Sequence, residues 1–170
     1  MKLFVSLALC ALFSVAAFAA DDAKGPSKYA AEFAKHWNTA KDLTLAVAEA
    51  MPAENYTFKP NPEEMSFGEQ IAHIAQANYG YCARMAAAKS SPFSKPANFD
   101  KTTVMKLVGE SFDYCAGIVG PMTDDQLNEM RGQTSVRELS MGVQTHMAHH
   151  RGQVEVYLRL KNIKPPTYKF

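Results

Sequence analysis

Ser135-Val-Arg-Glu-Leu-Ser-Met-Gly-Val-Gln-Thr-His-Met-Ala-His-His-Arg-Gly-Gln-Val-Glu-Val-Tyr-Leu-Arg-Leu-Lys161 reads as one long helix. Ser135 followed by Glu138 is a capping-box start, in which serine oxygen and glutamate carboxylate each take an orphan amide. Arg159 and Lys161 place cations where the helix dipole favours them, and Pro165-Pro166 stops the run. At about 100° per residue, Leu139, Val143, His146, His150, Val154 and Tyr157 fall within one narrow arc. The apolar seam therefore carries two histidines one turn apart. His149 falls off the arc and is expected at the surface or rim.

Histidines at i and i+4 lie one above the other and can ligate one ion. The zincin motif shares this spacing but needs Glu after the first histidine, where Met147 stands, so that reading fails. The plain alternative is a pair of buried neutral imidazoles hydrogen-bonded to their neighbours. A metal needs a third ligand from elsewhere in the chain.

Three further helices precede this one. The first is expected from about Lys28 to Ala50, with Phe33, Trp37, Ala40, Leu43 (or Thr44) and Val47 inward, and His36 as a surface histidine. Asn55 to Glu63 is an extended, proline-broken connection. Ser66-Phe-Gly-Glu69 is a second capping box, opening a helix to about Ala88 with Phe67, Ile71, Ile74, Tyr81 and Met85 as its stripe. His73 sits on the flank of that stripe with Ala77, Gly80 and Arg84, and small residues there leave room for a close helix or a pocket. After a breaker-rich loop at 90–98, a third helix is expected from about Lys101 to Val119, with Val104, Leu107, Val108, Phe112, Cys115 and Ile118 inward. Gly120-Pro121 ends it, and Thr123 caps one or two further turns. There is no internal repeat, phosphate loop or alternating strand pattern. Four amphipathic helices with one long connection argue an all-α four-helix bundle, whose sites are built from facing helices. In a bundle His73 can face His146 and His150, giving a three-nitrogen site.

The front end is a processing signal. Lys2 begins residues 1–20, an apolar run follows from Leu3 to Val15, and Ala17-Phe18-Ala19 or its one-residue shift is a small-residue cleavage site. Residues 21–170 are then one secreted or periplasmic domain, free of the membrane after cleavage. Of 18 basic residues Lys2 falls in the leader, leaving 17 against 17 acidic. No basic field exists to hold nucleic acid or an anionic membrane. Export makes a disulfide between Cys82 and Cys115 permissible. Both fall mid-helix, where buried free thiols fit as well, and the reading leans to free thiols.

Trp37, Ser66-Phe-Gly-Glu-Gln-Ile-Ala-His73, His146-Met-Ala-His-His-Arg-Gly-Gln153 and the close Tyr157 to Phe170 together resemble the DinB-like family, the DinB/YfiT metalloenzyme superfamily. The resemblance spans essentially the whole mature chain. It implies a four-helix bundle binding a divalent metal (nickel, zinc or iron) through His73, His146 and His150. It also implies transferase or isomerase chemistry with small thiols such as bacillithiol, mycothiol or glutathione. Those thiols are scarce outside the cytoplasm, and the signal peptide is where this chain departs from the family. The expected function is a metal-dependent hydrolase or transferase acting on a small molecule, with an exported non-catalytic metal-binding or interaction protein as the alternative. Gln70 and Gln153 are expected to orient a water or a ligating ring. Glu69 is expected to cap rather than act as a base, and Gly152 suggests close packing. Exposed helix faces leave room for a homodimer.

Overall fold

The computed structural model describes residues 25–169, so the expected leader at 1–20 lies outside the described residues. Helix α1 spans Lys28–Ala50, α2 Phe67–Met85, α3 Lys101–Val119, the short α4 Asp124–Asn128, and α5 Val136–Leu160. Helices α1, α2, α3 and α5 form the bundle: α2 packs on α3 and α5, and α1 on the same two from the other side. Helix α2 therefore faces α5, as a site shared between them requires. No described helix is long and apolar enough to cross a membrane.

Each long helix starts where a polar side chain takes an orphan amide. Ser27 accepts from Ala30, Asp100 from Thr103 and Ser135 from Glu138, while Ser66 and Glu69 complete the reciprocal box at α2. At α5 only half of the expected box forms, and Ser135 is also the last residue of a two-pair hairpin. This hairpin joins β1 (Met130–Arg131) to β2 (Thr134–Ser135), with Gly132 at φ 71° in its turn. Two residues per strand are too few to show as alternation in sequence. Helix α2 stops earlier than expected. Ala87 turns left-handed at φ 53° and the Ala88 N–H reaches back to the Ala83 carbonyl, a stop made without glycine or asparagine.

Between the helices lies an aromatic core. Trp37 is fully buried, its ring 4.6 Å from Phe112 and 5.3 Å from Phe33, and its indole N–H donates to the Phe112 carbonyl at 2.9 Å. On α3 the buried stripe takes in Ser111 and Val119, while Leu107 and Ile118 are only partly covered. Cys82 on α2 and Cys115 on α3 form a disulfide, with Cα atoms 5.3 Å apart. This corrects the leaning to free thiols. Helical spacing shows each cysteine facing inward, but cannot show that α2 and α3 bring the two opposite each other. After α5 the tail runs back along the bundle: Ile163 packs on the core and Pro165 is buried.

Candidate metal centre

His73 from α2 meets His146 and His150 from α5. The ring centroids lie 4.5 Å apart for His73–His150, 4.5 Å for His146–His150 and 5.2 Å for His73–His146. One nitrogen from each ring can be chosen so that all three lie within 4.8 Å of one another. This is the trio expected from the sequence, and among the described residues no carboxylate or cysteine joins it. Geometry follows from helical periodicity: i and i+4 on α5 stack two rings, and the flank position of His73 points at them from across the α2–α5 contact.

The surroundings prepare these rings as ligands. Gln70 is buried one turn N-terminal of His73, and its Oε1 lies 2.9 Å from His150 Nδ1. An amide oxygen only accepts, so this bond places the proton on Nδ1 and leaves the Nε2 lone pair available. Tyr157, two turns along α5, donates from its hydroxyl to the Met65 carbonyl at 2.9 Å and stands 3.5 Å from Gln70 Nε2. The Gln70 amide is thus held from both ends. His146 Nδ1 is buried without a hydrogen-bond partner, which fits a ligating nitrogen better than a satisfied core imidazole. Burial pushes His150 down to about 4, with His73 and His146 adding to the effect, and burial likewise lowers His146. Both rings are neutral near pH 7, the form that binds metal.

Other expected residues divide. Gln70 has the orienting role. Gln153 stands on the same ring with a weaker hold: its Oε1 is buried without a well-formed hydrogen bond, and its side chain counters in small part the lowering of His150. Glu69 is occupied: it accepts from the Ser66 N–H at 2.7 Å and lies 3.7 Å from Lys59, and the Ser66 bonds first of all hold its carboxyl below the usual range. Gly152 is exposed, with nothing within 4 Å of where a Cβ would sit, so it does not mark close packing. On α5 a close approach is made at Gly142, where a Cβ would come 3.1 Å from the Tyr81 ring. That space lets Tyr81 reach the cluster, 6.1 Å from His146 between centroids. Sequence spacing had placed Tyr81 in the core stripe. His149 is exposed on the rim, its ring 4.9 Å from His150.

Beside His73 a cleft of about 290 Å³ opens between the start of α2 and the 86–100 loop. Met65, Ala72, Phe93 and Phe99 supply apolar wall, and Gln76 and Lys95 supply polar groups. Glu69 and His73 complete the lining, so the hollow is apolar on one side and polar on the other, and a concave site of this kind beside a ligand cluster suits a small molecule.

The DinB family profile matches residues 23–169. The chain belongs to the DinB family. An uncharacterized relative, YjoA of Bacillus subtilis (strain 168), is 24% identical over 135 residues, covering 75% of this chain and 88% of its own length. The crystal structure of a DinB-like protein, YjoA from Bacillus subtilis, superposes with a TM-score of 0.69 at 21% identity, covering 81% of this chain and 98% of that one. At that identity the likeness establishes the DinB fold and leaves chemistry to the site itself.

Proposed function

We propose that this DinB-family protein is an exported metalloenzyme that holds a divalent transition metal on His73, His146 and His150 and acts as a hydrolase or transferase on a small molecule. The observation that carries the reading is the convergence of three imidazoles from two helices with nitrogens within 4.8 Å of one another. An ion on three neutral imidazoles retains open positions and supplies Lewis acidity, acidifying a water or polarising a carbonyl or thiol. Nitrogen donors suit zinc, nickel or iron over magnesium or calcium. Gln70 fixes the His150 tautomer, and the cleft beside His73 offers an apolar wall against which a small substrate would lie. The Cys82–Cys115 disulfide supports an oxidising compartment and so supports export.

One observation favours a second reading. Among the described residues no free carboxylate stands with the histidines: Glu69 lines the cleft beside His73 but is committed to its cap and lies 3.7 Å from Lys59. A protein that carries or buffers a metal without turnover fits that arrangement. Elemental analysis of the mature chain tests the shared premise: His150→Ala and His73→Ala should each abolish the one-to-one metal, and unchanged stoichiometry removes the site. Cobalt substitution separates the two readings. A visible spectrum that shifts on adding azide or a small thiol reports an exchangeable position, whereas an unresponsive spectrum favours the carrier.

A further inference from the structure

We infer that the hollow between α1 and α5 is an oxyanion site, separate from the histidine cluster, in which Arg151 holds a small carboxylate or phosphate. The hollow measures about 270 Å³, and His36, Thr39, Gln144, Met147, Arg151 and Lys169 are among the residues that line it. Gln144 and Arg151 share one face of α5, about a third of a turn round the helix from His146 and His150.

Arg151 is only 8% exposed. A buried guanidinium is costly unless its five N–H donors find acceptors. Here one donates to the Met147 sulfur at 3.4 Å, a weak acceptor. The nearest carboxylate among the described residues, Glu155, is 4.0 Å from Arg151 Nε and is shared with Arg159 at 3.9 Å, both too long for hydrogen bonds. None of the Arg151 nitrogens is both sealed from solvent and unpartnered. Arg151 lines the hollow, so donors that the described residues leave unused are available to it. Among the described residues no Asp or Glu lines it, and Lys169 adds a second cation. Beyond Thr39 and Lys169 a neighbouring hollow carries Asp42, which confines the positive character to the Arg151 end. A planar fork of donors at the wall of a small pocket without acids matches paired oxygens, as in a carboxylate or phosphate.

The test titrates inorganic phosphate and acetate, at constant ionic strength, into the wild-type chain and into His73→Ala. Saturable binding of either anion, equal in the two chains, is expected; the anion that binds tells a phosphate site from a carboxylate site. Arg151→Met should weaken binding about tenfold or more, and Lys169→Ala, on the outer wall where folding is not at stake, about threefold. Binding lost in His73→Ala would assign the anion to the metal centre and overturn the proposal. Absence of saturation by both anions, or variants that bind as well as the parent, would overturn it too. If Arg151→Met does not fold, Lys169→Ala and Gln144→Ala carry the same comparison.

Discussion

Gln70 sets the state of His150, and its removal separates metal affinity from fold. Gln70→Leu keeps the volume of a buried side chain while leaving the His150 Nδ1–H without its acceptor. Loss of such an outer partner typically costs 10–100-fold in metal affinity, so about that weakening is expected in competition with a chelator of known strength. Affinity equal to wild type would show that the ring is oriented by packing alone. The depressed histidines also set a pH dependence of the metal-free protein. His150 titrates at about 4 when folded, below its ordinary 6.5. The unfolded chain therefore binds more protons between those values, and stability falls as pH drops through that window while being complete above it. Urea midpoints of the metal-free chain should fall between pH 7 and pH 4.5, and His150→Gln should flatten that fall. Parallel curves for the two proteins would contradict a neutral buried ring. In the sequence His146 and His150 were visible as a pair, because one helix fixes their spacing. That Gln70 makes the well-formed bond to His150 was not, since the direction of Gln70 and Gln153 is given by the bundle.

Helix α2 is the element on which the site turns, and two contacts hold it. At its first turn Gly68 lies so close to the 86–100 loop that an added Cβ would come 2.2 Å from the Phe99 carbonyl oxygen. A backbone neighbour cannot swing aside as a side chain can. Gly68→Ala should push α2 and the Phe99 wall apart, destabilising the fold by about 1–3 kcal/mol as overpacked sites do, measured by chemical denaturation. Metal affinity should fall with it, because His73 rides on the same helix. At its far end the Cys82–Cys115 bridge closes a loop with a sequence separation of 33. On loop-entropy grounds it contributes about 2–4 kcal/mol, to be read as the difference in unfolding free energy between oxidised and reduced protein. An unchanged denaturation midpoint on reduction would mean that the two helices hold their register without it. Stripes of the long helices and the caps at Ser66 and Ser135 were legible, because a cap acts within three residues of itself, while the caps at Ser27 and Asp100 came only with the structure. Local chemistry did not disclose the α2 stop at Ala87, the hairpin around Gly132 or the bridge, all of which depend on what lies opposite in space.

At the scale of the whole molecule, the leader-like first twenty residues and the disulfide are independent observations that point to the same compartment. The first is read from the sequence alone, and the second lies in the core of the bundle. A cytosolic thiol pool would keep Cys82 and Cys115 reduced, so a cysteine pair bridged between two core helices fits a chain folded after export. With 18 basic and 17 acidic residues the chain has a formal net charge of +1, so it carries no strong overall field. The proposed export also bears on the proposed reaction, since an enzyme outside the cytoplasm could not draw on the small thiols concentrated there. Under that proposal water would be the available nucleophile beside a metal held by His73, His146 and His150, and hydrolysis would take precedence over thiol transfer. Intact-mass measurement of protein from the cell envelope of its native host decides the premise. A chain shortened near Ala19 or Ala20, and lighter by the two thiol hydrogens, is the expected product. Full-length reduced protein in the cytoplasm would return thiol transfer to first place, while leaving the histidine centre as it stands.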